Sequence, residues 1–313
     1  MRFFDAEELR QVFDFPTLID ALEEGHSKAR PQLADGLMGP ADSQYMVRSA
    51  HNGANLIGSK LITIFPQNPK RHDLPSVQAA IMLFDADNGR PNAVLDATEL
   101  TYWKTAADSA LGSRLLSRPD AETLVIAGAG GLAPWLVRGH LAARPSIRRV
   151  MVWNRTPARA EVLANELGQS GIAAETASSL EAAVGTADIV TTATMARDPI
   201  LKGDWLKQGT HVDLVGGYSS DTREADDMVL KRGRLFVDCR ESALDGVADI
   251  AAPMDAGIID EKDILADLFD LVGRKAIGRK SDDEITVFKN AGGAHLDLMV
   301  AAALVEKIET HAT

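Results

Sequence analysis

A glycine-rich segment in the middle of the chain has the residue types and spacing of a phosphate-binding loop. Gly128-x-Gly130-x-x-Ala133 lies between the apolar run Thr123–Ala127 and a segment with helical spacing of apolar residues, Leu132–Ala143. In such a loop the first glycine permits a tight turn, the second lets the backbone approach a pyrophosphate, and a small third residue allows close helix–strand packing. The free amides at the start of the helix would face the anion. We therefore predict a nicotinamide dinucleotide bound by Gly128, Gly130, Gly131, Leu132 and Ala133, rather than a purely structural turn.

The end of the next predicted strand, Arg149–Trp153, selects between the two forms of this cofactor. An enzyme that prefers NAD usually carries an acidic residue here, which binds the ribose 2′-hydroxyl. The sequence instead has Asn154-Arg155-Thr156, with Arg159 one helical turn later. Guanidinium groups can bind a 2′-phosphate, so we predict NADP(H) over NAD(H). The alternative is that both arginines are solvated residues at the start of a surface helix, which is a common position for them.

Two further predicted strands, Asp188–Thr194 and His211–Gly217, end in residues expected on the nicotinamide side. A cofactor in a parallel α/β sheet lies outside the carboxyl ends of the strands. The predicted contacts at these ends are Thr192, Thr194, Val215, Gly216 and Gly217. The two threonines could instead be present only because threonine favours strands.

The order of the predicted elements indicates two domains. Strands and helices alternate over residues 119–292, which predicts an α/β domain with a doubly wound parallel sheet of the Rossmann type. The remaining chain predicts a different pattern: a helix over 6–29 interrupted at Pro16, an irregular stretch over 30–60, strands at 61–65, 77–85 and 91–96, and helices at 98–117 and 293–309. Since the C-terminal helix does not continue the alternation, we predict that residues 1–118 and 293–313 form one discontinuous α+β domain, into which the dinucleotide-binding domain is inserted.

Composition excludes several classes of function. The net charge of −12 provides no basic surface for nucleic acid, and no apolar run approaches the length of a membrane-spanning helix. Cys239 is the only cysteine, and the seven histidines do not pair with acids at metal-ligand spacing, so we expect no disulfide within the chain and no metal. The N-terminus carries acidic residues too early for a secretory signal. These features favour a cytoplasmic protein with no membrane or nucleic-acid partner.

Beyond the glycine loop, the chain resembles the ornithine cyclodeaminase/mu-crystallin family over nearly its whole length. The segments that carry the resemblance occur in the family's order: Gly58-Ser59-Lys60-Leu61-Ile62-Thr63, Phe65-Pro66-Gln67-Asn68, Leu74-Pro75-Ser76-Val77-Gln78, Glu99-Leu100-Thr101, Lys104-Thr105-Ala106-Ala107, Trp153-Asn154-Arg155-Thr156, Val215-Gly216-Gly217, Arg223-Glu224 and Ile285-Thr286-Val287-Phe288-Lys289-Asn290. The resemblance implies a Rossmann domain inserted in a dimerisation domain, and it implies homodimers.

The family contains several chemistries, so its fold does not choose the reaction. Its ornithine cyclodeaminases use an aspartate just after the Val-Gly-Gly turn, where this sequence has Tyr218. A phenol at neutral pH cannot act as a carboxylate, and this departure argues against deamination. The segments around Pro134, His140 and Tyr218 resemble instead the branch that reduces Δ1-pyrroline-2-carboxylate.

The resemblance also implies the pocket residues. Lys60 matches the family's substrate-binding lysine and could hold a carboxylate or take part in proton transfer. Lys104 stands where the family usually has arginine, which leaves its role open, and Arg48 is a possible compensating cation or a simple surface residue. Ser76 and Asn290 are expected at the cofactor. Asp297 matches a family acid on the last helix, and the alternative is a residue on the helix surface.

The leading hypothesis is NADPH-dependent reduction of a small cyclic ketimine carboxylate, Δ1-pyrroline-2-carboxylate to L-proline and possibly the six-membered homologue to L-pipecolate. Three alternatives remain open: an ornithine cyclodeaminase, an alanine dehydrogenase that acts on an open-chain 2-oxo acid with ammonia, and a non-enzymatic NADPH-binding protein.

Overall fold

A computed structural model describes residues 1–53, 56–217 and 221–311. The strands in chain order are β1 (Arg2–Phe4), β2 (Gln32–Met38), β3 (Gln44–His51), β4 (Ile57–Ile64), β5 (Val77–Phe84), β6 (Pro91–Asp96), β7 (Thr123–Ala127), β8 (Arg149–Trp153), β9 (Ala174–Thr176), β10 (Ile189–Thr192), β11 (His211–Leu214), β12 (Arg234–Val237), β13 (Ile264–Asp267) and β14 (Thr286–Lys289). The α-helices are α1 (Ala6–Arg10), α2 (Phe15–Ser27), α3 (Asn68–Arg71), α4 (Leu100–Leu116), α5 (Ala133–Ala143), α6 (Pro157–Gln169), α7 (Leu180–Val184), α8 (Asp227–Arg232), α9 (Arg240–Ala243), α10 (Ala248–Asp255), α11 (Leu268–Val272) and α12 (Ala294–His311).

The chain forms two compact units. The first contains Met1–Thr105 and Gly293–Thr313, and the second contains Ala106–Gly292. The sequence placed the first boundary after residue 118, but residues 106–118 belong to the second unit. The reason is the packing of the C-terminal half of α4, where Gly112 lies so close to Phe288 that a Cβ atom would come within 2.7 Å of its ring. Arg144 also donates hydrogen bonds to the carbonyl groups of Ser113 and Ser117.

The first unit is a six-stranded sheet in the order β1-β6-β5-β4-β3-β2, against which α12 packs, and α2 packs against α12. Only the β1–β6 pair is parallel among these strands. The antiparallel pairing of β3 with β4 places Arg48 directly opposite Lys60. Buried residues alternate along β4, where they are Gly58, Lys60 and Ile62, and the buried residues of β5 are Ile81 and Leu83, as expected for a sheet that is covered on one face.

The predicted irregular stretch at residues 30–60 is wrong, because β2, β3 and the beginning of β4 occupy it. Strand β2 exposes most of its side chains and contains Asp35 and Gly36, so its sequence shows no apolar alternation. Its hydrogen bonds with β3 make it a strand. Such pairing is a long-range property that a local pattern does not reveal.

The second unit confirms the predicted α/β class. Its eight strands are all parallel and follow the order β13-β12-β14-β11-β10-β7-β8-β9. The strand order reverses between β7 and β10, and in such sheets the crevice outside the carboxyl ends at this reversal binds the ligand. All residues of the central strands β7 and β10 except Thr123 are buried, which explains the apolar run of β7.

Within the residues described, no helix has the length and apolar character needed to cross a membrane. No group of three or more histidine, cysteine or acidic side chains is arranged there to hold a metal ion.

Candidate functional site

The glycine loop has the geometry of a phosphate cradle. Strand β7 ends at Ala127, and Gly128 follows with φ +120°, a conformation that a residue with a side chain rarely adopts. A Cβ atom at Gly128 would also come within 2.5 Å of the Ala193 carbonyl oxygen. At Gly130, by contrast, a Cβ atom would meet no atom within 4 Å. The first glycine is therefore required by the turn itself, whereas the second leaves open space in front of the loop.

The backbone amides of this loop complete the cradle. In the part of the chain that the structure describes, the amides of Gly130, Gly131 and Leu132 donate no hydrogen bond. The Ala129 amide donates to the Asn154 side-chain oxygen at 3.2 Å, and the Asn154 amide group donates to the Thr156 carbonyl at 3.0 Å. Asn154 thus joins the loop to the end of β8. Three free amides at the start of α5 fit the pyrophosphate of a dinucleotide.

A cleft of about 260 Å³ extends from this loop across the strand reversal. Seven residues predicted to bind the cofactor line it: Gly128, Gly130, Asn154, Arg155, Thr156, Arg159 and Thr194. The rest of its lining was not predicted and consists of Ala129, Trp153, Ala193, Met195, Ala196 and Ile200. Arg155 and Arg159 are both exposed at its edge, and neither has an acidic partner among the described residues. The cleft, the open space at Gly130 and the two unneutralised guanidinium groups fit a dinucleotide.

The ends of β10 and β11 are held by a residue that the sequence did not single out as functional, Glu224. Its carboxylate accepts hydrogen bonds from the Thr192 hydroxyl at 2.7 Å, the Thr194 amide at 2.6 Å, the Thr194 hydroxyl at 2.8 Å and the Gly216 amide at 2.7 Å. Thr192 is fully buried, so its side chain serves this carboxylate and does not reach the cleft. Arg223-Glu224 was visible only as one segment of the family resemblance.

Two more buried charges lie beside Glu224. Lys289 at the end of β14 donates to the Gly216 carbonyl and lies 3.2 Å from an Asp249 carboxylate oxygen. The other Asp249 oxygen accepts from the Glu224 amide at 2.9 Å. Burial raises the pKa of Glu224 to about 7; Lys289 opposes this shift, whereas Asp249 adds to it.

This cluster explains the two glycines after β11. A Cβ atom at Gly216 would come within 2.4 Å of the Glu224 carboxyl carbon, and one at Gly217 would come within 2.2 Å of an Asp249 oxygen. Gly217 also has φ +62°. These glycines are therefore required by the buried carboxylates as well as by any cofactor that approaches them.

The other residues predicted at the nicotinamide have mixed positions. Val215 is almost fully buried and donates its amide to the Thr192 carbonyl. Asn290 is also buried, and its side-chain amide donates to Ser109 at 2.9 Å. Ser76 is half-buried in the first unit, where its carbonyl accepts from the Phe65 amide. Tyr218 lies outside the described residues, and the expected contacts of these residues with a cofactor stay predictions.

In the first unit, the predicted pocket lysines surround one carboxylate. The Lys60 ammonium on β4 donates to Asp297 on α12 at 2.9 Å and to the Thr101 hydroxyl on α4 at 2.7 Å. The Lys104 ammonium lies 4.0 Å from the other oxygen of Asp297, which accepts no hydrogen bond within the described residues. Exposure is 3% for Lys60, 4% for Lys104 and 1% for Asp297. Two buried cations thus share one buried anion.

The electrostatics of this cluster favour proton exchange at Lys60. Burial lowers the pKa of the Lys60 ammonium; the Asp297 carboxylate opposes this shift, and the Lys104 ammonium adds to it. Burial alone would raise the pKa of Asp297, but Lys104, Lys60 and Arg48 hold it below its ordinary value. Asp297 is therefore ionised at neutral pH. Lys60 loses its proton at a lower pH than an exposed lysine does.

Arg48 is a neighbour of this cluster but is already paired. Its guanidinium is half-buried and donates to Asp35 on the adjacent strand at 2.7 Å. Because Asp35 neutralises it, the excess of positive charge belongs to Lys60 and Lys104 rather than to Arg48. The sequence alone could not distinguish these cations.

Comparison with known proteins identifies the family. The ornithine cyclodeaminase/mu-crystallin family model matches residues 20–312. A Δ1-pyrroline-2-carboxylate reductase of Paracoccus denitrificans is 48% identical over 286 residues, which are 91% of this chain and 90% of that protein. The structure of a Δ1-pyrroline-2-carboxylate reductase of Thermococcus litoralis, in complex with NADH and L-proline, matches with a TM-score of 0.91 and 30% identity over 100% of this chain and 99% of that chain.

A second solved structure that is similar to this chain belongs to a protein with a different named activity. An archaeal alanine dehydrogenase dimer with bound NAD matches with a TM-score of 0.90 and 26% identity over 99% of this chain and 97% of that chain. Fold alone therefore does not separate the two activities. The family model nevertheless covers almost the whole sequence, and the resemblance inferred from the sequence is confirmed: this chain belongs to the ornithine cyclodeaminase/mu-crystallin family.

Proposed function

We propose that this protein is an oxidoreductase that reduces the C=N bond of a cyclic ketimine carboxylate with a nicotinamide cofactor. The substrate is Δ1-pyrroline-2-carboxylate, which yields L-proline, and the six-membered homologue is a further candidate. The observation that carries this proposal is the cluster of two buried lysines that share the single carboxylate of Asp297. The names of the similar proteins from Paracoccus denitrificans and Thermococcus litoralis support it.

Residues of the Lys60 and Lys104 cluster each have a separate role in the proposed reaction. Reduction of C=N requires a hydride at carbon and a proton at nitrogen, and the reduced nicotinamide, when bound, supplies the hydride. Lys104 provides a positive charge for the substrate carboxylate. Lys60 provides the proton for nitrogen, because its ammonium is charged and buried and has a lowered pKa. Asp297 and Thr101 hold the Lys60 ammonium in place.

The cofactor is bound in the second unit. Gly130, Gly131 and Leu132 offer their free amides to the pyrophosphate, and Gly128 makes the turn that presents them. We propose NADPH rather than NADH because Arg155 and Arg159 are exposed and unneutralised at the edge of the cleft, where they can bind a 2′-phosphate. The two solved structures named above contain NADH and NAD. The proposed preference for NADPH therefore rests on Arg155 and Arg159 of this chain and not on those structures.

We also propose that the protein acts as a homodimer and that it functions in the cytoplasm. The family resemblance supports the dimer, as does the dimer named for the archaeal alanine dehydrogenase. Light scattering during size-exclusion chromatography should give twice the mass of the chain. A single-chain mass at micromolar concentration would contradict the proposed dimer.

One assay separates the candidate reactions. Purified protein with NADPH should oxidise the cofactor when Δ1-pyrroline-2-carboxylate is added, and not with pyruvate plus ammonia. Ornithine with NAD should release no ammonia, because a cyclodeaminase would need a carboxylate where this chain has Tyr218. Ammonia release from ornithine, or oxidation with pyruvate and ammonia alone, would refute the proposal.

Lys60 should be essential as a proton donor and not only as a charge. Lys60→Ala should lower kcat by at least about 100-fold, and Lys60→Arg, which keeps the charge but cannot release its proton, should do the same. The wild-type reduction rate should be full at low pH and fall as pH rises through the lowered pKa of Lys60, and Lys60→Arg should lack this fall. Thermal unfolding of both variants controls for damage to the fold. Near-normal turnover in Lys60→Arg would remove Lys60 from proton transfer.

The open space at Gly130 should be the place of the pyrophosphate. Gly130→Val adds a side chain where the protein has room for it, so stability should be unchanged while the Kd for NADPH rises at least about tenfold. Gly168→Val is the matched control, because a Cβ atom at Gly168 on α6 also meets no atom within 4 Å. Equal NADPH affinity in the two variants, measured by fluorescence titration, would show that the loop does not hold the pyrophosphate.

The guanidinium groups at the cleft edge should set the preference between cofactors. The double variant Arg155→Ala with Arg159→Ala should lose at least about tenfold in the ratio of kcat/KM for NADPH to that for NADH, because only NADPH carries the 2′-phosphate. Arg148→Ala, another highly exposed arginine of the same unit, serves as the control. A ratio that the double variant leaves unchanged would contradict the predicted role of these arginines.

A further inference from the structure

The buried cluster beneath the Val215–Gly217 turn connects the carboxyl ends of three neighbouring strands. Glu224 binds residues that follow β10 and β11, and Lys289 is the last residue of β14. Glu224, Asp249 and Lys289 each have 1% exposure or less. Three fully buried charged groups are costly in a protein interior unless they are satisfied. Every oxygen of the Glu224 carboxylate is satisfied here by at least two donors.

The backbone of Glu224 is fixed as firmly as its side chain. Its carbonyl accepts hydrogen bonds from the amides of Ile200 and Leu201, and its amide donates to Asp249. The carboxylate is thus presented from a rigid position to the amides of Thr194 and Gly216. Those two amides lie at the carboxyl edge of the sheet, where a cofactor lies in folds of this kind. Thr194 itself lines the cleft.

We propose that Glu224 is a positioning residue for the nicotinamide half of the cofactor, and that its ionised form holds the segments after β10 and β11 in the shape that binds this half. The inference rests on the proposed cofactor but not on the identity of the imine substrate. Glu224 touches no substrate atom in this account. It acts through the Thr194 and Gly216 amides, and Lys289 and Asp249 hold it in place from β14 and α10.

The same arrangement makes cofactor affinity depend on pH near neutrality. The groups that face the Glu224 carboxylate are Thr192 and Thr194 from β10 and its end, Lys289 from β14 and Asp249 from α10. Because burial raises the pKa of Glu224 to about 7, it is mostly ionised at pH 8 and mostly protonated at pH 6. Protonation removes an acceptor site from a carboxylate that accepts four hydrogen bonds. If only the ionised form binds the nicotinamide half, its apparent affinity falls about tenfold over this range.

The test compares two ligands that differ only in the nicotinamide. NADH carries it, whereas ADP-ribose has the same adenosine, pyrophosphate and second ribose without it, and neither ligand titrates between pH 6 and pH 8. Kd is measured for both by calorimetry at several pH values. For the wild-type protein, the Kd of NADH should rise about tenfold from pH 8 to pH 6, while the Kd of ADP-ribose changes less than about twofold.

Glu224→Gln has no ionised form and therefore corresponds to the protonated protein at every pH. Its Kd for NADH should be raised at least about tenfold at pH 8 and be independent of pH, with the Kd of ADP-ribose unchanged. A purely structural role for Glu224 would instead weaken both ligands equally, and that result would overturn the proposal. An unchanged Kd for NADH in the variant would overturn it as well.

A second variant keeps the proposal testable if Glu224→Gln does not fold. Thr192→Val has the same shape and removes one hydroxyl whose hydrogen bond lowers the pKa of Glu224. The midpoint of the pH dependence of NADH binding should therefore move to higher pH. A midpoint that does not move would contradict the role of Glu224.

Two results on the wild-type protein separate this inference from the proposed function. If the protein does not bind NADH saturably, the proposed cofactor and the role of Glu224 are both wrong. If it binds NADH but reduces no cyclic imine, only the proposed function is wrong.

Discussion

A buried surplus of positive charge in the first unit is the constraint on which the account of this protein depends. Lys60 and Lys104 are both almost completely enclosed, and the carboxylate of Asp297 lies within 4.0 Å of both ammonium groups. Removing an ion from water costs several kcal/mol, and a single carboxylate cannot balance two ammonium groups. In the function that we propose, a substrate anion supplies the missing charge. The cluster therefore fits a small carboxylic acid, and the Lys104 ammonium adds to the lowering of the pKa of Lys60.

In the second unit, binding features and structural constraints occupy the same residues. Gly128 is required by the turn after β7, and Gly216 and Gly217 are required by the carboxylates of Glu224 and Asp249. A parallel sheet brings the carboxyl ends of all its strands to one edge, so the free amides of the phosphate loop and the satisfied amides beside Glu224 lie along that edge. Only the free ones can bind a pyrophosphate directly. We propose that the satisfied ones shape the surface that the cofactor contacts.

The sequence predicted the second unit more accurately than the first, for a physical reason. Strand β7, the glycine loop and β8 are adjacent in the chain, and their apolar runs and glycines are local signals, so Thr123–Ala127 and Arg149–Trp153 were predicted with the bounds that the structure has. Strand β2 has no such signal, because pairing with β3 alone defines it. The boundary inside α4 was missed since helical periodicity does not show which unit each half of a helix packs against.

The residues of the candidate site also differ in how far the sequence predicted them, and local signals again make the difference. Lys60 and Lys104 were recognised from segments that match the family. Their shared carboxylate, Asp297, lies 237 residues after Lys60 in the chain, and only the fold joins them. Arg48 was left open between a compensating cation and a surface residue, because its neutralisation by Asp35 is invisible in the sequence. Glu224 was overlooked as a functional residue because an acid in an irregular segment resembles a solvated surface residue until its burial is known.

The central claim is that this protein transfers a hydride from the reduced nicotinamide to the C=N carbon of a cyclic imine, which is the carbon that carries the carboxylate. The most direct measurement is isotope transfer: NADPH deuterated at the transferable position of the nicotinamide is incubated with the protein and Δ1-pyrroline-2-carboxylate, and the product is analysed by mass spectrometry and proton NMR. The account predicts L-proline with deuterium on its α-carbon. Proline without the label, or no proline although NADPH binds, would contradict it.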